Sequence, residues 1–150
     1  MPQSLSQVYI HIVFSTKHRK NLIDKKIEHR LNEYLGGICN GLDCPVLQVG
    51  SHKNHVHISC RLSRKISQMD LMEELKKRSS AWIKTVDKKY NNFFWQRGYG
   101  VFSVSADVLP KVINYIKNQE FHHKTKSFKK EFLEFLEEYD IDYDERYLWD

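Results

Sequence analysis

The order of strand-like and helix-like segments constrains the fold of this chain most strongly. Strands are indicated by alternation of apolar side chains with β-branched and aromatic enrichment, and helices by apolar residues three or four positions apart. The strand-like segments are 8–14, 45–50, 55–60 and 101–105, and the helix-like segments are 24–40 and 67–86. This β-α-β-β-α-β order predicts an α+β, ferredoxin-like fold, in which one antiparallel sheet carries both long helices on one face.

Two more helices are expected after the last strand. A short one over 107–119 would have Asp107 as its N-cap and Pro110 in its first turn. A final helix is indicated by an apolar stripe with an acidic outer face, and the stripe consists of Phe128, Phe132, Phe135, Leu136 and Tyr139. We expect the sheet face opposite the long helices to be free for a ligand, a nucleic acid or a second subunit.

Charge is distributed unevenly along the chain. The net charge is +5, yet residues 131–150 contain nine acidic side chains and one basic side chain, Arg146, so residues 1–130 carry +13. Basic charge favours nucleic acid because it releases counterions from the phosphate backbone. Lysines that merely solvate helix faces would give the same count, so charge alone leaves the partner open.

Composition also bears on location and domain organisation. The 150 residues suit one domain, with a core over about 1–125 and an acidic helix and tail over about 126–150. No segment approaches the roughly 20 apolar residues of a membrane span, and the start lacks the pattern of a signal peptide. Cys39, Cys44 and Cys60 lack zinc-site spacing. We therefore expect a cytoplasmic protein with reduced thiols and no membrane partner.

Two histidines on the third predicted strand are candidate metal ligands. Because side chains alternate across a strand, His55 and His57 share one face with Ser59, and the apolar residues between them face the other way. With the apolar side against the helices, both imidazoles would project from the free face, close enough to bind one ion. Neutral imidazole suits zinc, manganese, iron or copper. Two ordinary surface histidines would show the same pattern.

Tyr115 and Gln119 are four residues apart and would share one helix face. A tyrosine oxygen is a competent nucleophile once a cation stabilises the phenolate. Attack on phosphorus would conserve bond energy as a phosphotyrosine, as an enzyme that rejoins DNA requires. An amide oxygen one turn away could complete a metal shell. A tyrosine that only packs in the core remains an alternative.

Basic and aromatic side chains occur together in the second helix and the loop after it. This mixture fits single-stranded DNA, because rings stack on bases and cations meet phosphates. The candidate DNA-binding residues are Lys17, Lys76, Lys77, Arg78, Ser79, Trp82, Arg97 and Tyr99. We expect Phe93 and Phe94 to be core residues instead.

Taken together, these segments resemble the single-tyrosine HUH transposases of small insertion sequences of the 200/605 type and their relatives associated with repeated extragenic palindromes. The resemblance covers most of the chain, and the ordered combination is more specific than any one motif. The segments that carry it are Ile10–Lys17, Asn54–His57, Lys77–Trp82, Trp95–Ser105, Tyr115–His123, 127–133 and 142–147.

The resemblance implies how such a chain would act. It assigns His55, His57 and Gln119 as ligands of Mg²⁺ or Mn²⁺ and Tyr115 as the nucleophile. It implies a homodimer whose sites pair the histidines of one subunit with the tyrosine helix of the other. The substrate would be single-stranded DNA beside imperfect-palindrome hairpins, cut to a free 3′-hydroxyl and a 5′-phosphotyrosine, with strand transfer by reversal.

Two departures and two alternatives accompany that assignment. Asn54 stands where many relatives have aspartate, and His122 or His123 could substitute for Gln119, although both are about two turns from Tyr115 along a helix. A non-catalytic ferredoxin-like protein that binds single-stranded nucleic acid would have the same sheet but no covalent intermediate. A domesticated relative acting on chromosomal palindromic repeats would share every motif. A histidine-triad hydrolase is disfavoured, since Ser59 stands where the third imidazole is needed.

Overall fold

The structure, a computed structural model, describes residues 3–123 and 126–150. Its strands are β1 (Tyr9–Ser15), β2 (Val46–His52), β3 (His55–Arg61) and β4 (Gly100–Val104). Its helices are α1 (Lys25–Gly41), α2 (Gln68–Val86), α3 (Leu109–Lys117), α4 (Gln119–His122), α5 (Phe128–Glu138) and α6 (Glu145–Leu148). The expected start at residue 1 and the expected boundary at residue 125 lie outside the described residues.

The four strands form one antiparallel sheet in the order β2-β3-β1-β4. The two middle strands, β1 and β3, pair along their whole length, with Ser15 opposite His55 and Val13 opposite His57. This arrangement confirms the predicted α+β fold with the β-α-β-β-α-β order.

Both long helices begin at capping side chains. The Asp24 carboxylate accepts a hydrogen bond from the Ile27 amide, and the Ser67 hydroxyl accepts one from the Asp70 amide, which satisfies amides that the first helical turn leaves free. The helices pack on one sheet face, as predicted, around fully buried apolar side chains. Among these are Ile12, Phe14, Leu31, Leu35, Val56, Ile58, Leu75 and Ile83.

The opposite sheet face is covered, so the expectation of a free face is wrong. Val13 and Phe102 of the sheet pack against Phe128, Phe132 and Leu136 of α5, and α3 contacts β2 and β3. The apolar stripe of α5 needed a partner, and this sheet face provides it. A third layer therefore covers the face on which both histidines lie.

Several local predictions also differ from the structure. Asp107 does not cap α3, whose N-cap is Val108 with no side-chain hydrogen bond, although Pro110 does lie in the first turn. The helix expected over 107–119 is interrupted at Asn118, between α3 and α4. Phe93 is buried as predicted, whereas Phe94 is 51% exposed. None of the described helices has the length and apolar character needed to cross a membrane.

The backbones of β2 and α3 approach so closely that no side chain fits between them at Gly50. A Cβ added there would lie well inside contact distance of the Ile116 carbonyl oxygen and 2.9 Å from the Ile116 Cγ2. Real Cβ atoms do not tolerate such an approach, so the fixed position of the tyrosine helix depends on a glycine at this position.

We predict that Gly50→Ala lowers the free energy of unfolding by about 1–3 kcal/mol, because α3 must move away from the sheet. Gly37→Ala is the matched control, since its Cβ would meet nothing within 4 Å on the exposed side of α1. That substitution should stabilise the protein by about 0.5–1 kcal/mol. Urea unfolding of both variants measures the difference, and equal stability of the two would contradict the packing argument.

Candidate functional site

His55 and His57 lie on the face of β3 turned away from the long helices, as their alternation predicts, and both are fully buried. The covering layer of α3, α4 and α5 closes over them. The imidazoles therefore belong to an interior cluster, and their surroundings determine which ring nitrogen is available for chemistry.

Two of the imidazoles at this site have Nδ1 tied to an oxygen that can only accept. The Nδ1 of His55 lies 2.9 Å from Oδ1 of Asn54, whose own amide nitrogen donates to the Arg19 carbonyl. The Nδ1 of His123 lies 2.7 Å from the Lys126 carbonyl oxygen. Nδ1 must therefore carry the hydrogen, so each neutral ring directs an Nε2 lone pair into the site.

The Nδ1 atom of His57 is held as well, by a further imidazole. It lies 2.8 Å from Nε2 of His11, a buried residue of β1. Burial, together with the nearby His57, lowers the pKa of His11 to about 3, so this ring is neutral and shares one hydrogen with Nδ1 of His57, donated by either ring. Sequence reasoning missed His11, although its alternation with Ile10 and Ile12 places it on the face of His57.

Glu131 of α5 lies at the centre of the cluster and is 1% exposed. Its Oε1 lies 2.8 Å from Nε2 of His57 and 3.7 Å from Nε2 of His55, and its Oε2 lies 3.3 Å from Nε2 of His123. Burial opposes ionisation, but the neighbouring imidazoles, first among them His57, outweigh it and lower the pKa of the carboxyl below its usual range.

Sequence reasoning also missed Glu131, because acids of the last helix were expected on its outer face. A signal was present. Position 131 follows Phe128 by three residues and precedes Phe135 by four, so it lies inside the apolar stripe. An acidic side chain within an apolar stripe becomes buried only where charged or hydrogen-bonding partners surround it.

Gln119 and His123 reach the cluster because the helix is interrupted at Asn118. The Gln119 side-chain nitrogen donates to the Tyr115 carbonyl, which turns Oε1 towards Nε2 of His55 and Nε2 of His123, each 3.2 Å away. In a continuous helix His123 would lie two turns away from Tyr115, but the interruption at Asn118 brings it into the cluster. His122 instead stacks on the Tyr115 ring, with ring centroids 4.3 Å apart.

Tyr115 joins the cluster through its hydroxyl, which donates a hydrogen bond to Oε2 of Glu131. Burial and the negative charge of Glu131 raise the pKa of the phenol well above its usual range. The hydroxyl is therefore neutral in this arrangement, and a positive charge at the site is needed to make it a phenolate. Tyr115 and the histidines meet within one chain, whereas the resemblance implied a site shared between subunits.

The donor set fits a divalent cation. One ligand atom each from His55, His57, His123 and Glu131 lies within 4.8 Å of the others, and the Gln119 oxygen faces the same point. Neutral imidazole nitrogens and a carboxylate are the donors that catalytic metal sites use. Each imidazole has its second nitrogen held by a neighbour, as metal-binding histidines do.

The candidate DNA-binding residues of α2 lie on the far side of the sheet from this cluster, and two of them serve the protein itself. The Lys76 ammonium donates to the carbonyl oxygens of Gln96, Arg97 and Gly98, and burial lowers its pKa to about 8. The Ser79 hydroxyl is buried, donates to the Leu75 carbonyl and accepts from the Trp95 indole. Both polar groups are engaged within the protein in this structure, and their role as DNA contacts stays a prediction.

The other α2 candidates make surface contacts that leave their roles open. Lys77 and Arg78 pair with Glu74. Trp82 stacks on Tyr34 with ring centroids 4.5 Å apart. These contacts belong to the helical layer, so the structure does not bring the three residues to the histidines.

Lys17 and Arg97 line a cleft near the histidine end of the sheet, and Tyr99 is exposed close by, with the Lys76 ammonium 5.4 Å from its ring centroid. The amide of Thr16, next to Lys17, donates to the carbonyl of Asn54, the residue that orients His55. The cleft also includes His18, Phe94, Trp95, Gln96, Trp149 and Asp150.

A groove beside Tyr115 was not anticipated from the sequence. It lies along α3 and α4 and is lined by Lys111, Asn114, Tyr115, Asn118, Phe121 and His122. A cation, two amides and exposed aromatic rings suit a nucleic-acid strand. The signal in the sequence was the spacing of 111, 114, 115 and 118, which places them on one helix face.

With the geometry in place, comparison with known proteins identifies the family. Residues 4–119 match the family described as "Transposase IS200 like". The chain belongs to the IS200-like transposase family. This confirms the resemblance drawn from the motifs, and it makes the protein a DNA-processing enzyme by family.

Two curated IS200-like transposases illustrate the relation in sequence. The transposases for insertion sequence element IS200 of Salmonella typhimurium and Salmonella typhi are each 29% identical over 114 residues, which cover 73% of this chain and 74% of theirs.

Two solved structures share the fold of this IS200-like transposase. A protein of Deinococcus radiodurans assigned as a transposase aligns with a TM-score of 0.62 and 18% identity, covering 79% of this chain and 98% of that one. A REP-associated tyrosine transposase bound to a REP hairpin aligns with a TM-score of 0.53 and 13% identity, covering 82% and 74%.

We predict that burial of neutral His11 makes the protein less stable in acid. Its pKa is lowered from 6.5 to about 3 on folding, so only the unfolded chain takes up this proton as the pH falls below about 6.5. The contribution of neutral His11 to the free energy of unfolding is complete above that pH, and it declines by about 1.4 kcal/mol per pH unit below it. Urea unfolding at pH 7.5 and pH 5 in chelator, for wild type and His11→Gln, measures it. An identical loss of stability in the variant would contradict the assignment.

Proposed function

We propose that this IS200-like transposase cuts and rejoins single-stranded DNA beside hairpins at element ends, with Tyr115 as the nucleophile. The observation that carries the proposal is the meeting of the Tyr115 hydroxyl and the imidazoles of His55 and His57 at one buried carboxylate. A nucleophile and a cation-binding donor set are thus adjacent, as covalent attack on a phosphodiester requires.

A divalent cation, Mg²⁺ or Mn²⁺ by the family resemblance, belongs to this proposal. His55, His57 and Gln119 would hold it through the atoms that already face one point. Such an ion would supply positive charge that polarises a phosphate and stabilises a tyrosine oxygen in its phenolate form.

The strand-cutting step balances with residues of this chain. The Tyr115 oxygen forms a bond to phosphorus while its proton passes to the Glu131 carboxylate to which it already donates. The bond from phosphorus to the 3′-oxygen breaks, and that oxygen takes the proton that left Tyr115, by way of the Glu131 carboxyl, to give a free 3′-hydroxyl. The 5′-phosphotyrosine keeps the bond energy, so attack by another 3′-hydroxyl reverses the step and joins the strands.

Access to the site is governed by the covering layer. The two strand histidines are fully buried beneath it, so a phosphate has to approach from the tyrosine side or displace α5. The groove that contains Tyr115 opens on that side, and Lys111, Asn114 and Asn118 line it. Their charge and amide groups support an approach of the DNA backbone along α3.

DNA is the partner that the charge distribution supports, with +13 on residues 1–130. One structural neighbour carries a REP hairpin, and we propose hairpin DNA as the partner here as well. The homodimer also stays a prediction, and so do Lys17, Arg97, Tyr99, Lys77, Arg78 and Trp82 as DNA contacts. Within this chain the tyrosine already reaches the histidines, so a dimer would not be needed to assemble one site.

The first test looks for the covalent intermediate. Wild type incubated with end-labelled single-stranded hairpin DNA that carries its own flank, plus Mg²⁺ or Mn²⁺, should give a protein–DNA band on a denaturing gel. Tyr115→Phe should give none, because the attacking oxygen is missing. Tyr147→Phe, at a residue 65% exposed, is the matched control and should behave as wild type.

Two outcomes would overturn this assignment. A band of equal intensity from Tyr115→Phe would mean that another nucleophile acts. No band from wild type on authentic element ends would favour the non-catalytic nucleic-acid-binding alternative. Cleavage restricted to chromosomal palindromic repeats would place the protein among domesticated relatives.

The second test separates cutting from binding. His55→Ala or His57→Ala should reduce cleavage by at least about 100-fold, since a lost ligand removes charge stabilisation of several kcal/mol. Hairpin binding in a gel-shift assay should stay within about twofold, because both histidines are fully buried and the proposed hairpin contacts are other residues, such as Lys17 and Arg97. His29→Ala, on exposed helix surface, is the control. Loss of binding in step with cleavage would refute the separation.

A further inference from the structure

The metal-binding cluster contains two side chains that lie beyond the family match. The match ends at Gln119, whereas His123 follows α4 and Glu131 belongs to α5. Their Nε2 and carboxylate atoms nevertheless lie within 4.8 Å of the corresponding atoms of His55 and His57.

We propose that His123 and Glu131 are metal ligands that complete the site with His55 and His57, and that this site takes a first-row transition ion such as Mn²⁺, Co²⁺ or Zn²⁺ in preference to Mg²⁺. The inference rests on the proposed function, whose metal site it defines. It is tested without DNA.

The first argument is the direction of lone pairs. The Nδ1 atoms of His55 and His123 face oxygens that can only accept, an amide oxygen and a backbone carbonyl. With the hydrogen held at Nδ1, the Nε2 atom of each ring presents a lone pair to the Gln119 oxygen and the Glu131 carboxylate. Acceptors that converge in the interior repel each other unless a positive charge lies between them.

The second argument is that Gln119 behaves as part of the same acceptor set. Its oxygen lies 3.2 Å from two Nε2 atoms, and its nitrogen is turned away to the Tyr115 carbonyl. Flipping the amide would give each imidazole a hydrogen-bond donor but would cost the bond to that carbonyl. The observed orientation favours a cation over a purely hydrogen-bonded cluster.

The third argument concerns the class of ion. The donor set has three imidazole nitrogens, one carboxylate and one amide oxygen, and the side chains of His55, His57, His123 and Glu131 are at most 4% exposed. Mg²⁺ prefers oxygen ligands and keeps several of its waters, so a buried site rich in imidazole binds it less tightly. Imidazole-rich sets bind first-row transition ions instead.

A structural consequence follows from the positions of the ligands. His55 and His57 lie on β3, and Glu131 lies on α5, so one ion would link the sheet to the helix that covers it. Removal of the ion should then loosen α5 without unfolding the sheet. Amide exchange over Phe128–Glu138 reports this directly.

The test is calorimetric titration of the metal-stripped full chain with Mn²⁺, Zn²⁺ or Mg²⁺, with the visible absorption of Co²⁺ as a report on nitrogen ligation. Wild type should bind one transition ion at least about tenfold more tightly than Mg²⁺. His123→Ala and Glu131→Gln should each weaken binding at least about tenfold, since even residues that only orient a ligand cost that much. His29→Ala and Glu138→Gln, both on exposed helix surface, should leave affinity unchanged.

Unaltered affinity in His123→Ala and Glu131→Gln, or equal affinity for Mg²⁺ and Mn²⁺, would overturn the inference. If Glu131→Gln fails to fold by circular dichroism, His123→Ala and amide exchange of wild type decide instead. Exchange over α5 should quicken in chelator, and unchanged exchange would count against the ligand role. A wild type that binds metal as expected but forms no DNA adduct would refute the proposed function alone.

Discussion

The partners that a buried carboxylate requires determine how the covering layer docks on the sheet. A carboxylate taken out of water is strongly destabilising unless charge and hydrogen bonds surround it. Glu131 is surrounded by two imidazoles and a phenol from three separate parts of the chain, His57, His123 and Tyr115. The docking of α5, the interruption after α3 and the strand histidines are therefore not independent features. Each is a condition for the others.

Burial of apolar surface determines where α5 of the covering layer lies on the sheet. The stripe of Phe128, Phe132 and Leu136 packs on Val13 and Phe102 and brings position 131 over β3. The hydrophobic contact is not directional, so it cannot orient an imidazole. Orientation comes from the Nδ1 contacts. Packing brings the polar groups together, and hydrogen bonds select the ring nitrogens that face one another.

Much of the fold could be predicted because it depends on local patterns. Period-two alternation identified the strands and placed His55 and His57 on one face, and the order of elements gave the antiparallel sheet with its two long helices. The covering layer was not predicted, because the sequence showed the apolar stripe of α5 but not the sheet face against which the stripe packs. A helix pattern shows which face is apolar, and it does not show where that face will pack.

The candidate site was predictable only where its residues belong to one strand or one helical turn. His11, His123 and Glu131 reach the cluster through strand pairing, a helix interruption at Asn118 and tertiary docking, and none of these is visible in residue spacing. The partners of Lys76 and Ser79 were equally hidden. The loop carbonyls and the Trp95 indole that these side chains contact belong to the segment after α2 and not to the helix itself.

The orientation of His55 reaches back to a surface loop. Asn54 turns its amide oxygen to His55 because its nitrogen donates to the carbonyl of Arg19. His18 and Arg19 both have the left-handed backbone, with φ of 58° and 55°, which costs a non-glycine residue about 1–2 kcal/mol. Substitutions in this loop would therefore alter an imidazole that they never touch. The conformation of the loop and the orientation of the buried histidine are therefore coupled, even though one is open to solvent and the other is fully enclosed.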